Sequence, residues 1–215
     1  MKAVSVEEAV AIIPDGASLM IGGFMAVGSP ERLIDELVRQ HKRGLTVIAN
    51  DTALPGAGIG KLVSAGLVSK VIASHIGLNP ETQQKMLAGE LEVELVPQGT
   101  LIERIRAAGH GLGGVLTPTG VGTIVEEGKR KLEVDGKEYL LETALHADFA
   151  LVNSFLADYL GNLHYTLTAR NFNPVIAMAG KQVIAEADNI VPTGVISPDQ
   201  VHTPAPVIDY LLMNG

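Results

Sequence analysis

Cysteine is absent from the 215 residues. That excludes disulfides, thiolate catalysis and cysteine-type zinc sites. Aromatic residues make up only 4%, too few for the stacking platforms that bind single-stranded nucleic acid. Positive charge is also scarce. The 16 Lys and Arg against 24 Asp and Glu leave a net charge of −8, the wrong sign for a phosphate-backbone binder, and such an acidic balance serves solubility. No apolar run reaches the roughly 18 residues of a transmembrane helix. The N-terminal stretch carries Glu7 and Glu8 and no long apolar core, so it does not read as a signal peptide. The expected compartment is the cytoplasm, with neither membrane nor nucleic acid as a partner. His75, His110, His164 and His202 stand isolated along the chain with no metal-ligand spacing, so no metal site is expected. The methionines are scattered and read as filler.

What is present is aliphatic. Hydrophobic residues make up 47% and charged residues 19%, the composition of a globular chain long enough to bury a substantial core. Ser5-Val-Glu-Glu8 reads as a capping box at the start of a helix through Ile12. Pro14 to Gly16 is a turn and Ala17 to Ile21 a buried strand. Ser29-Pro30-Glu31 predicts a second helix start, with Ser29 as the cap. Leu33, Ile34, Leu37 and Val38 form its apolar face. Leu45 to Ala49 is the next strand, closing a β-α-β unit, and Asn50 to Gly60 is a loop. Further on come a helix over Lys61–Gly66, a strand over Val71–Ala73 and a helix over Glu81–Ala88. Leu91 to Leu95 alternates as a half-exposed strand. A helix follows Gln98, with Ile102 and Ile105 inward. Gly109 to Gly122 holds six glycines and reads as a loop without regular structure. Lys131 to Leu141 reads as a hairpin turning at Asp135-Gly136. Phe149–Val152, Val175–Met178 and Val183–Ala185 are buried elements, and Arg170 to Pro174 reads as a turn ahead of a strand, with substrate positioning as the alternative. Strands alternating with helices predict an α/β fold: an open, largely parallel sheet with flanking helices and a late β-hairpin. With no linker and no repeat, one domain over 1–215 is expected.

Between the first buried strand and the second helix lies Ile21-Gly-Gly-Phe-Met-Ala-Val-Gly28-Ser-Pro30. A strand, a glycine turn and a helix N-terminus can form a site for an anion or a carbonyl, because backbone N–H groups and the helix dipole converge there. Glycine also permits close approach and positive φ. The spacing is neither the dinucleotide fingerprint nor a P-loop. On spacing alone, a tight strand-to-helix turn explains it equally well.

The same stretch, from Asp15-Gly16 through Gly22-Gly23-Phe24 to Gly28-Ser-Pro30, resembles the N-terminal signature of family I coenzyme A transferases. The resemblance continues in Leu45–Asp51, in Glu92-Val-Glu-Leu-Val-Pro-Gln98-Gly-Thr100 through Arg106, in Leu116-Thr-Pro-Thr-Gly-Val-Gly122, in Thr168–Pro174 and in His202-Thr-Pro204. In detail it is similar to α subunits of the acetate/acetoacetate type. The resemblance implies transfer of coenzyme A between carboxylic acids through a glutamate nucleophile, held in a Ser-Glu-Asn-Gly-type motif. None of the fifteen glutamates here lies in such a motif, and each reads as a solvated surface acid. The resemblance therefore implies that a separate β subunit supplies the nucleophile, in an α2β2 assembly. Coenzyme A is then a substrate, with no tightly bound cofactor and no catalytic residue in this chain.

The resemblance also implies that Gly22, Gly23, Phe24, Met25, Ala26, Val27 and Gly28 wall the coenzyme site at the subunit interface, and that Asn50 and Gln98 face the reacting carboxyl group. Both carboxamides follow strands, where open α/β sheets bind ligands. Asp51 reads as a cap rather than a base, and His110 as a solvated loop residue, with a ligand contact as the alternative. The alternatives are a sugar-phosphate isomerase, disfavoured because no Lys or Arg follows the glycine loop within reach of a phosphate, and a non-catalytic acyl-CoA-sensing module.

Overall fold

The structure is a computed structural model and describes residues 1–213; the last two residues of the expected 1–215 domain lie outside the described residues. The chain runs β1 (Lys2–Val4), α1 (Val6–Ala11), β2 (Ser18–Ile21), α2 (Glu31–Arg39), β3 (Leu45–Asp51), α3 (Gly60–Ser64), β4 (Val68–His75), α4 (Pro80–Leu87), β5 (Glu92–Leu95) and α5 (Gln98–Gly109). It continues with β6 (Gly114–Thr117), β7 (Lys131–Val134), β8 (Lys137–Thr143), β9 (Ala147–Asp158), β10 (Leu163–His164), α6 (Asn173–Ile176), β11 (Gly180–Val191) and β12 (Tyr210–Leu212).

The main sheet has the order β1-β12-β11-β9-β2-β3-β4-β5. Every neighbouring pair along it is parallel; β10 folds back antiparallel on β9. Successive strand residues point to opposite faces, and this alternation divides the core in two. Leu19, Ile21, Val47 and Val71 pack with Leu33, Ile34 and Leu37 of α2 and Leu62 of α3. Met20, Ile48 and Ile72 face the other way, onto Leu101 and Ile105 of α5 and Ile176 of α6. Helices thus cover both faces, as parallel sheets require. Because α5 directly follows β5, its first residue, Gln98, sits at the carboxyl end of the sheet.

The capping box forms as read. Ser5 Oγ accepts from the Glu8 amide at 3.2 Å, and the Glu8 carboxylate accepts from the Ser5 amide at 2.9 Å. The hairpin turns at Asp135-Gly136, both at positive φ. Three expectations are corrected. Gly109–Gly122 is not a structureless loop: Gly114–Thr117 pairs antiparallel with β8, giving a separate three-stranded sheet β6-β8-β7. Its glycines hid a short, half-exposed strand with no clean alternation. Val175–Met178 does not lead into a strand but continues a helical turn that begins at Asn173, with Pro174 in its first turn; a short apolar run does not distinguish the two. Ser29 does not cap α2, whose cap position is Pro30.

One clamp joins β2 to β9. Asp148 accepts from the Ser18 amide at 3.0 Å and the Ser18 hydroxyl at 2.7 Å, and Lys181 Nζ lies 2.9 Å away. Those Ser18 hydrogen bonds, followed by Lys181, hold the Asp148 carboxyl down at about 2. A folded-state value below the unfolded one, about 3.9, adds stability at neutral pH that is lost as pH falls from about 4 toward 2. Urea midpoints of the wild type should fall over that interval more than those of Asp148→Asn. Parallel curves for the two proteins would refute the clamp.

Candidate functional site

Asn50 and Asp51 occupy the last two positions of β3, so the strand runs two residues further than the hydrophobic pattern suggests. Asn50 is 4% exposed. Its Oδ1 accepts from Gln98 Nε2 at 2.8 Å and lies 2.9 Å from the Ser74 hydroxyl, which also reaches the Asn50 carbonyl at 2.7 Å. The two carboxamides expected to work together are therefore joined directly. With Oδ1 occupied, the Asn50 Nδ2 group has no acceptor among the described residues, and one Gln98 Nε2 hydrogen is unused. These donors border a cleft of about 330 Å³ that is also lined by Gly99, Ile102, Arg106 and Phe172. Among the described residues no carboxylate lines it. Ser74, absent from the sequence reading, sits one residue past the expected Val71–Ala73 strand; the parallel register of β4 beside β3 was the signal that could have found it.

The glycine loop is a braced hairpin rather than an open nest of amides. Phe24 and Val27 exchange hydrogen bonds of 3.1 and 2.9 Å. Between them Met25 (φ 52°) and Ala26 (φ 68°) both take left-handed conformations, a type I′ turn without glycine or asparagine at its centre. Such conformations cost about 1–3 kcal/mol each and persist only when the surroundings enforce them. Here the enforcement is visible. Asp51 Oδ2 accepts from the Met25 amide at 2.9 Å, and its Oδ1 accepts from Ala53. Asn171 accepts from the Gly23 amide at 3.1 Å and donates to the Val27 carbonyl at 2.9 Å. Fully buried Asn173 donates to the Gly28 carbonyl at 2.9 Å. A Cβ at Gly22 would lie 1.9 Å from Asn173 Oδ1, and one at Gly28 (φ +80°) would lie 2.4 Å from the Ala169 carbonyl oxygen. Ala169, Asn171 and Asn173 therefore brace this loop. The turn leaves Phe24 46% and Val27 50% exposed.

The N-terminus of α2, where an anion or carbonyl site is one of two readings of the sequence, is already filled by a protein carboxylate. Glu186, on β11, accepts from the Arg32 amide at 3.2 Å and the Leu33 amide at 3.1 Å. The Ser29 hydroxyl, expected to cap this helix, donates instead to the Gly22 carbonyl at 3.0 Å. Within the loop, the Gly22 amide bonds Leu151 and the amides of Gly23, Phe24, Met25 and Val27 are used as above. Only Ala26 and Gly28 retain amides without a protein acceptor among the described residues.

The glutamates are not uniformly solvated, contrary to expectation. Glu36, Glu142 and Glu186 are buried, each with partners: Arg39 and Gln40 for Glu36, Lys129 for Glu142, the α2 amides for Glu186. Nor are all the histidines isolated. His164 and His202 stack at 4.6 Å between centroids, and His202 Nδ1 accepts from the Tyr165 amide. Burial, with Arg170 and His164 nearby, pushes the His202 pKa down. Among the described residues no group of three His, Cys, Asp or Glu could hold a metal ion, and no helix is long and apolar enough to cross a membrane.

Comparison with known proteins gives this geometry a context. The chain is 54% identical over 213 residues to the acetate CoA-transferase subunit alpha of Escherichia coli (strain K12), covering 99% of this chain and 97% of that protein. It is 52% identical over 198 residues to the acetoacetyl-CoA:acetate/butyrate CoA transferase alpha subunit of Clostridium acetobutylicum, covering 92% and 91%. Among solved structures, an acyl-CoA transferase of Escherichia coli O157:H7, in a thioester complex with CoA, superposes with a TM-score of 0.86 at 25% identity. That match covers 99% of this chain but 47% of the other, so this chain spans just under half its length. Residues 3–214 match the family described as coenzyme A transferase. The chain belongs to the coenzyme A transferase family.

Proposed function

We propose that the chain is the α subunit of a short-chain acyl-CoA:carboxylate CoA-transferase of the acetate/acetoacetate type, completed by a β subunit in an α2β2 assembly in the cytoplasm. The observation that carries this reading is the Asn50–Ser74–Gln98 network. It aims unused carboxamide donors at a cleft whose lining has no carboxylate. Such a cleft can stabilise an oxyanion but cannot attack a thioester by itself.

In this reading the partner's glutamate attacks the acyl-CoA carbonyl, and Asn50 and Gln98 donate to the oxygen as it gains charge. Thiolate leaves and an acyl-glutamyl anhydride forms. The thiolate then attacks the glutamyl carbonyl, expelling the acyl group as its carboxylate and leaving a glutamyl-CoA thioester. The incoming carboxylate reverses the sequence. Coenzyme A enters and leaves as substrate, with no tightly bound cofactor. The role of Gly22–Gly28 is to hold a rigid apolar wall, Phe24 and Val27, beside the acyl-CoA at the subunit interface. Its unused amides at Ala26 and Gly28 are the ones that can meet the ligand.

The test is transfer of coenzyme A from acetyl-CoA to acetoacetate by the purified chain, alone and mixed with the product of the adjacent reading frame. Activity is expected only in the mixture, with borohydride trapping the thioester on the partner's glutamate. Activity of the single chain would place a nucleophile among its own glutamates and overturn the split site.

A further inference from the structure

The cleft continues past the carboxamides. A second hollow of about 390 Å³ is lined by Arg106 of α5, by His110 at its C-cap, and by Arg170 and Met178 from the other wall. It shares Arg106, Asn171 and Val175 with the Asn50–Gln98 cleft, so the two form one trough. The charge in it is one-sided. Arg106 hydrogen-bonds Glu103 through Nε alone, at 3.0 and 3.2 Å. Arg170 pairs with no carboxylate among the described residues. The His110 ring is fixed by Nδ1, 2.8 Å from the Arg106 carbonyl; that carbonyl can only accept, so Nδ1 carries the hydrogen. Among the described residues no carboxylate lines the hollow. In a chain of net charge −8, this is a local concentration of positive potential within a concave wall, where field lines focus.

We propose that this hollow is an anion subsite. It takes a second anionic oxygen group, carboxylate or phosphate, on the same ligand whose carbonyl lies at Asn50 and Gln98. The proposal rests on the transferase reading and deepens it. A guanidinium fork matches either group bidentately, and two sources carry one: the far carboxylate of a dicarboxylic acyl chain, or a phosphate of coenzyme A. Arg170, which pairs with no carboxylate among the described residues and is supplied by the same segment that braces the glycine loop, is the principal contact. Arg106 joins the subsite to the reacting end.

Steady-state kinetics of the assembled complex decide the matter. Succinyl-CoA and butyryl-CoA have acyl chains of equal length and differ in the terminal carboxylate. Acetyl-CoA and acetyl-pantetheine differ in the phosphates. With Arg170→Gln, at least a tenfold fall in the succinyl/butyryl ratio of kcat/KM, partly rescued in Arg170→Lys, would assign the subsite to the acyl carboxylate. A tenfold fall in the acetyl-CoA/acetyl-pantetheine ratio instead would assign it to a coenzyme phosphate. Both ratios within twofold of the unsubstituted complex would overturn the subsite while leaving its transferase activity in evidence. If the unsubstituted complex transfers nothing, the transferase reading fails separately. Equilibrium dialysis of succinate and of adenosine 3′,5′-bisphosphate against the wild-type complex and Arg170→Gln then still decides: weakened binding of either supports the anion subsite, and equal binding overturns it.

Discussion

Asn50→Ala lowers kcat of the assembled transferase by about 10²–10³-fold, the loss expected when one preorganised oxyanion donor, contributing about 3–4 kcal/mol, is removed. The size follows from burial. At 4% exposure the carboxamide sits where water competes little, and its Oδ1 is held by Gln98 and Ser74, so Nδ2 needs no reorganisation as charge develops. In the proposed role the donor acts on a charge that exists only in the transition state, so KM should change far less than kcat. Ser74→Ala removes one brace and leaves the donor, so a smaller loss is expected. Gln98→Ala should couple non-additively with Asn50→Ala, since the two share a hydrogen bond. A kcat within threefold of wild type for Asn50→Ala, measured with saturating acetyl-CoA and acetoacetate, would remove the oxyanion role.

Glu186→Ala destabilises the fold by about 2–4 kcal/mol, read as a shift in the urea midpoint. The estimate combines loss of a helix cap, about 1 kcal/mol, with two amides left without an acceptor at about 1–3 kcal/mol each, reduced because water can reach the partly exposed helix entry. Glu186 is 7% exposed, and burial outweighs the Leu33 and Arg32 amide bonds to push its pKa up. The sign follows. A carboxyl whose folded pKa lies above its unfolded value gives stability that is fully present below the unfolded pKa, near 4.3, and is lost as pH rises through the folded one. Glu186→Gln, which keeps an acceptor and abolishes the titration, should lose less stability than Glu186→Ala and flatten this part of the pH profile. If Glu186→Ala unfolds at the wild-type midpoint, the carboxylate is not what caps α2.

Local patterns carried most of the architecture. Ser5 and Glu8 announce a capping box, Asp135-Gly136 a hairpin turn, and alternation through Leu19-Met20-Ile21 a strand buried on both faces. Each depends on residues within a few positions of one another, and the structure forms each as read. The co-linear motifs identified the family, and the strand-end positions of Asn50 and Gln98 singled them out as a pair. What the sequence could not determine by itself was which group satisfies which. Ser29 stands where a helix cap belongs, yet the cap is Glu186, 154 positions from Arg32. Glycine spacing suggested a loop of open amides, yet Asn171 and Asp51 consume much of that capacity and hold Met25 and Ala26 left-handed. These outcomes depend on β9 lying between β2 and β11 and on β3 lying beside β2, an order that no local periodicity records. Burial makes every unpaired polar group costly, so caps, braces and the carboxamide network are settled only once the assembled sheet decides which residues become neighbours.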